Sequence, residues 1–257
     1  MNIVLDERDW AEERIRNHDI VGNVPETLSR VAKYYAEEGH SRKEIRRLTE
    51  LFLVSCRPNA NLSEWAKVID IAVNNAKKYP LLQLDGIPVT HKELEQIRVI
   101  RSGYERKLAF TLLCLAKYWD IRSPKNNHWV NCKDSDIFKM ANISTSVIRQ
   151  CELYASLRER GLIRFSRKID NLNVQVLFTD EGGEAEVLVS DFRCLGNYFC
   201  ALNGGDYYAC QNCGILVRRK TSEGRRPKYC SVCAKDIKNQ QTLKVLTEGR
   251  KIGKYCS

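Results

Sequence analysis

The sequence predicts a mainly α-helical protein with small β elements, in the α+β class, and three observations carry that reading. Apolar residues recur at helical spacing through the first eighty residues and again between 104 and 160. Short β-type runs such as NHWVN, LIRFSRK and NVQVLF are interspersed after residue 126. Two Cys-x-x-Cys pairs, Cys210/Cys213 and Cys230/Cys233, add a metal-stapled segment near the C-terminus.

The chain's 257 residues leave room for two domains of ordinary size and a small metal-bound appendix. A hydrophobic share of 43% and a charged share of 29% are those of a soluble globular protein, which argues against disorder and against a membrane protein. The longest apolar run, LAFTLLCLA at 108–116, is about half of what a bilayer span requires, so it reads as a buried helix. The N-terminal MNIVLDERDW has no basic region followed by an apolar stretch. No secretory signal is visible in it, and a cytoplasmic protein without a membrane partner is expected.

Residues 1–85 read as a helical N-terminal domain. PETLSRVAKYYAEEG places Leu28, Val31, Ala32 and Tyr35 on one face, with Pro25 at its start and Gly39 as its stop. SRKEIRRLTELFLVSC opens on Ser41 and Glu44 in a capping-box arrangement, and NLSEWAKVIDIAVNNAKKYP forms a further helix ending at Pro80. The outline from Tyr34 to Leu53 is also that of a helix-turn-helix, an outline shared by any pair of short packed helices. In LLQLDGIPVT, apolar runs flank Asp85-Gly86 and predict a small hairpin or tight turn; Thr90 and Glu93 make a second capping box.

Residues 86–180 have a more specific order. YERKLAFTLLCLAKYWD is a long helix, NHWVN a strand, DSDIFKMA a short helix, and STSVIRQCELYASLRERG a longer one stopped by Gly161. LIRFSRK and NVQVLF then make two strands joined by an IDNL turn. Helix, strand, helix, helix, strand, turn, strand is the order of a winged helix-turn-helix. Asp134 and Ser144 or Thr145 stand where helix caps are wanted, and Ile137, Met140, Ile143, Ile148, Leu153 and Leu157 supply an apolar seam.

In such a fold residues 145–160 form the helix that enters a major groove. Arg149 and Gln150 are types that read guanine and adenine edges, and Thr145 and Ser146 stand where phosphate is held. Arg164, Arg167 and Lys168 fall on the strand and near the wing. Winged helices also serve as protein-docking and dimerisation modules, so a protein partner, from a host or a phage, stays open. Residues 181–209, with a strand-like EVLVSDF and an aromatic-rich FRCLGNYFCALNGG, read as the connection to the C-terminal segment.

Residues 210–257 carry the strongest motif. Two Cys-x-x-Cys turns separated by 214–229 fit one tetrahedral four-thiolate Zn²⁺. Gly214 follows the first turn, ILVRRK is a β-type run, and AKDIKNQQTLKVLTEG after Cys233 is helical, with Ile237, Leu243 and Leu246 on one side. A knuckle, a hairpin and a second knuckle on a helix is the treble-clef arrangement, with a zinc ribbon as the alternative. Four cysteine ligands leave no open coordination position, so the Zn²⁺ is expected to be structural. The other cysteines, Cys56, Cys114, Cys132, Cys151, Cys194, Cys200 and Cys256, read as free thiols buried among apolar neighbours.

The charge is concentrated in the same segment. Residues 210–257 hold twelve Lys or Arg against three Asp or Glu, leaving +9 of the chain's +10. Four thiolates on Zn²⁺ subtract about two, so the loaded segment stays near +7. Arg218, Arg219, Lys220, Arg225, Arg226 and Lys228 lie between the cysteine pairs and cannot be core. A basic segment on a near-neutral body predicts a polyanionic partner, DNA before RNA.

KNNHWVN, the helix pair after it, GLIRFSRKIDNLNVQVL and CQNCG…RRK…KYCSVC together resemble a group of uncharacterised proteins from bacteriophages and integrated elements of Gram-positive bacteria. The likeness runs over most of the chain. It implies a winged helix followed by a four-cysteine finger and carries no established activity.

Enzyme signals are weak by comparison. The sequence has no G-x-x-x-x-G-K-[ST] phosphate loop, and His18, His40, His91 and His128 stand isolated, as surface or capping residues. Asp134 and Asp136 form a D-x-D that a nuclease uses for Mg²⁺, but a helix start also favours acidic residues. The expectation is a non-enzymatic nucleic-acid-binding protein, a phage-type regulator or replication accessory. A protein that binds or inhibits a host protein through the winged-helix surface is the alternative.

Overall fold

Four amphipathic helices build the N-terminal part: α1 (Glu7–Asn17), α2 (Val24–Glu37), α3 (Arg42–Cys56) and α4 (Leu62–Ala76). The computed structural model describes residues 3–166, 173–219 and 227–253, the last ten of these through their backbone alone. Asp6 caps α1 by accepting from Asp9 N, Ser41 and Glu44 form the expected capping box on α3, and Asn61 caps α4. Leu28, Val31, Ala32, Ile45, Leu53, Ile69 and Val73 bury against one another, α2, α3 and α4 each contributing the face its periodicity marks, and Ile15 of α1 packs beside them. The last helix stops at Ala76, short of Pro80, where Lys77 and Lys78 end the apolar stripe.

The stretch around Asp85-Gly86 pairs with distant chain and does not fold back as a hairpin. Glu7 N donates to Leu82 O (2.7 Å) and Leu84 N to Leu5 O (3.0 Å). Strand β1 (Ile87–Thr90) runs antiparallel to β5 (Ala185–Val189). Gly86 makes the pairing possible, since a Cβ there would lie 2.7 Å from Leu188 Cγ and 3.0 Å from Val189 O. The Thr90–Glu93 capping box forms as expected and opens α5 (His91–Arg98).

Helix α6 (Gly103–Arg122) runs through the main core, with Leu108 through Ala116 buried without a break. It is followed by β2 (Trp129–Val130), α7 (Asp134–Met140), α8 (Val147–Glu159), β3 (Ile163–Phe165) and β4 (Val174–Val176). The three strands form an antiparallel sheet in the order β2-β4-β3, with Trp129 opposite Gln175 and Ile163 opposite Val176. Arg167, Lys168 and the IDNL turn lie outside the described residues.

Ile137, Met140, Ile143, Leu153 and Leu157 are buried in the expected seam. Ile148 is not: it is 75% exposed, beside Val147 at 73%. Five residues separate it from Leu153, which is about 140° around a helix, so packing α8 through Leu153, Tyr154 and Leu157 turns Ile148 outward.

The segment 181–209, read from the sequence as a connection, contributes to the main core. Its strand β5 completes the sheet of β1. Helix α9 (Leu195–Leu202) lies on α6, with the Phe199 ring 5.2 Å from that of Phe110 and Tyr198 stacked at 6.3 Å. Gly196 lets the same helix lie against the end of α7, because a Cβ there would sit 1.8 Å from the backbone oxygen of Ala141. Of the aromatic residues that marked the segment, Phe192 and Phe199 are buried and Tyr198 is partly so.

The N-terminal helices are tied to α6 by a buried carboxylate. Glu7 is 1% exposed and accepts from Arg30 Nε of α2 (3.0 Å), Arg122 of α6 (2.9 Å) and Leu82 N (3.1 Å). The C-terminal segment begins with a hairpin, β6 (Tyr207–Ala209) and β7 (Leu216–Arg218), and ends in α10 (Ser231–Gly253). Among the described residues no helix is long and apolar enough to cross a membrane.

Candidate metal centre

Two short turns bring the four predicted cysteines together. The first connects β6 to β7: Cys210 N donates to Ile215 O (3.0 Å) and Gly214 N to Cys210 O (2.8 Å), with Gly214 at φ +74° where a side chain would be strained. The second lies on the first turn of α10, where Ala234 N donates to Cys230 O (2.9 Å). Gln211 N donates to Lys228 O (3.0 Å) and joins the two turns. The apolar support is small: Ile215 and Val217 are the partly buried side chains packed beside the sulfurs.

The Sγ atoms of Cys210, Cys213, Cys230 and Cys233 all lie within 4.8 Å of one another. A tetrahedron of sulfurs at about 2.3 Å from Zn²⁺ has edges of about 3.8 Å. The Cys213 and Cys230 sulfurs are 3.8 Å apart, and all four cysteines are free thiols. Donors already point at the cage: Cys230 N lies 3.2 Å from the Cys210 sulfur, Cys233 N 3.4 Å from Cys230, and Asn212 Nδ2 3.3 Å from Cys233. The geometry fits one metal ion held by four sulfurs.

The electrostatics point the same way. Burial opposes ionisation of Cys210, but the N–H groups of Cys230, Cys213 and Asn212 outweigh it and bring the thiol down to about 6. At Cys233 the Asn212 donor favours the thiolate, yet the sulfurs of Cys230, Cys213 and Cys210 and burial hold the proton, pushing the thiol up to about 12. One sulfur is prepared to ionise and a neighbour is prevented from doing so by crowding. A bound cation removes that conflict by allowing all four thiolates at once.

The basic residues expected around the centre divide into two groups. Arg218 and Lys228 are exposed, and Arg219 is half-buried with its Nε 3.3 Å from Asp206. Lys220, Arg225 and Arg226 lie outside the described residues. The residues expected to read DNA from α8 are turned to local duties. Ser146, not Ser144 or Thr145, caps the helix by accepting from Arg149 N (3.3 Å). Arg149 pairs with Glu152 across one helical turn (2.5 Å), and Gln150 Nε2 donates to Thr145 O (3.3 Å). On β3, the exposed Arg164 is hydrogen-bonded to Gln175 of β4. Asp134 is no cap either: its carboxylate accepts from Tyr154 OH (2.9 Å), which with burial pushes the tyrosine pKa up.

Several residues with a part in these sites carried no sequence signal of their own. Asn197, 7% exposed, donates through Nδ2 to Leu216 O of the hairpin (2.9 Å) and accepts from Asn142 Nδ2 (2.8 Å), so α9 holds the hairpin against the α7–α8 turn. His128, expected as an isolated residue, has its Nδ1 2.6 Å from Asp120, which also accepts from His128 N (2.8 Å), beside a cavity of about 220 Å³. Among the scattered cysteines, Cys114 is buried and Cys56, Cys132, Cys194 and Cys200 are partly so. Cys151 is exposed on α8, contrary to the buried thiol expected there, and Cys256 lies outside the described residues.

Fold and site together define an α+β protein with a four-cysteine centre able to hold one metal ion. Comparison with protein-family models, with curated proteins and with solved structures gives no match.

Proposed function

We propose that this is a non-enzymatic, cytoplasmic nucleic-acid-binding protein, with DNA favoured over RNA, in which a winged helix-turn-helix carries a treble-clef finger built on one structural Zn²⁺. The observation that carries the reading is the coincidence of the four-sulfur cage with the part of the chain that holds +9 of its +10 charge. The cage anchors the backbone near Arg218 and Lys228, at the two ends of the basic stretch, and cations held on an ordered backbone release counterions from a phosphate backbone at less entropic cost. A coordination sphere filled by four protein sulfurs leaves no place for a substrate, which supports a binding role over catalysis.

The finer fold assignments rest on element order. A first cysteine pair in a hairpin turn and a second on the first turn of a long helix favour a treble clef over a ribbon. The β2-β4-β3 sheet beside α6, α7 and α8 favours a winged helix. Such a protein would serve as a phage-type regulator or a replication accessory.

The test is a salt titration of duplex binding by the full chain. About four to six phosphate contacts from the finger give a log–log slope between about −4 and −5. Replacing Arg218, Lys220, Arg225, Arg226 and Lys228 by Gln should flatten that slope by several units. An unchanged slope and affinity refute the reading.

A second reading is favoured by the outer face of α8. Val147 and Ile148 are 73% and 75% exposed beside the exposed Cys151, and Arg149 is neutralised by Glu152. An apolar, charge-neutral helix face suits a protein surface better than a phosphate-lined groove. Val147→Asp with Ile148→Asp separates the two: unchanged duplex affinity assigns the face to a protein partner, and a tenfold loss assigns it to the duplex.

A further inference from the structure

The metal centre has a neighbour outside its own segment. Asp191 and Arg193 lie just before α9, and Asp191 grips the arginine through its backbone and its side chain. Arg193 N donates to Oδ1 (2.8 Å), Nε lies 3.0 and 3.1 Å from the two carboxylate oxygens, and Nη2 donates to Oδ2 (2.7 Å). The clamped guanidinium is directed at the first cysteine turn. Its Nη2 lies 3.7 Å from the position a Cβ on Gly214 would occupy, one residue from Cys213, whose charge favours the protonated guanidinium.

Cys213 is the least buried of the four cysteines, and the Arg193 guanidinium stands beside its turn. The sulfurs of Cys210 and Cys230 accept from backbone N–H groups, and that of Cys233 from Asn212. The cation beside this turn comes from the body of the protein, a few residues from Asn197, which holds the same hairpin through Leu216 O.

We infer that Arg193 is a positioning residue of the metal centre: held by Asp191, it donates to the Cys213 thiolate, orients that ligand and offsets part of the negative charge of a four-thiolate site. Outer hydrogen-bond partners of this kind fix ligand orientation and tune the sulfur's donation to the metal. Lysine is a poor substitute, because one ammonium cannot keep a bidentate grip on Asp191 while also reaching the sulfur. The inference rests on the metal-binding reading above.

The test uses full-length protein loaded with Co²⁺, whose sulfur-to-metal charge-transfer band reports on the thiolates, followed by competition with a chelator. Arg193→Met should shift the band and weaken metal retention about tenfold, the low end for outer-sphere partners because the side chain is 52% exposed and water replaces part of its role. Arg193→Lys should fall between the two, and Asp191→Asn should move retention in the same direction. Far-ultraviolet circular dichroism checks that each variant keeps the helical body. If the wild-type chain develops no charge-transfer band, the metal reading itself fails. If it does, and Arg193→Met leaves both band and retention unchanged, the role given to Arg193 is refuted.

Discussion

Glu7→Gln is the most decisive single test of how the body is held together. The substitution keeps the shape of a side chain that is 1% exposed and removes its charge. Arg30, 10% exposed, and Arg122, 28% exposed, are then left facing a neutral amide, with Lys33 Nζ 3.9 Å from the lost carboxylate. Breaking a buried pair from one side costs about 3–5 kcal/mol; Arg122 can turn partly to water, so the expected loss is about 3 kcal/mol. With a urea slope of about 3 kcal/mol per molar, the unfolding midpoint should fall by about 1 M.

The effect has a defined pH dependence. Burial works against the Glu7 carboxylate, but the Leu82 N–H and the charges of Arg122 and Arg30 prevail and hold its pKa below 4.5. A folded-state pKa below the unfolded one means that protons favour the unfolded chain. The stabilisation is therefore complete at pH 7 and is lost as the pH falls below about 4.5 through the folded value. Urea melts of both proteins at pH 7, 5 and 3 should show a gap that closes at the acid end. Equal midpoints at pH 7, or a gap that stays constant to pH 3, would refute the assignment.

Two further substitutions probe the other joints. Gly196→Ala places a methyl group 1.8 Å from the Ala141 oxygen, a backbone atom that cannot swing away. By forcing α9 away from the end of α7 it should destabilise the fold by about 2 kcal/mol in thermal or chemical melts. Cys210→Ser with Cys213→Ser should reduce bound metal from one ion per chain to none by elemental analysis. The helical circular dichroism of the body should remain, because the cores of α2–α4 and of α6 lie apart from the sulfurs.

Local signals account for what was legible in the chain. Ser41 with Glu44 and Thr90 with Glu93 specify their helix starts within four residues, and both capping boxes form. The two Cys-x-x-Cys turns bring four sulfurs into one cage because each turn fixes a pair and one closure joins the pairs. Ile148 departs from the expected seam because apolar spacing along the chain does not fix the angle at which each residue leaves the helix. The small hairpin or tight turn expected at Asp85-Gly86 does not fold back on itself, for a different reason. Its two halves had better partners at the N-terminus and at β5, and pairing over such distances leaves no mark near the turn.

The sequence by itself determined the helix-rich composition of elements, their order from α6 to β4, the four sulfur ligands and the segment that carries the charge. Each of these depends on neighbours along the chain. Only the tertiary structure decided that residues 185–202 belong to the main core, that α8 turns Val147 and Ile148 to solvent, and that Arg193 stands beside the first cysteine turn. A periodic pattern states that a face will be covered, and a charged side chain that it needs a partner. Which surface or group meets that need depends on how distant segments pack, and nothing local encodes it.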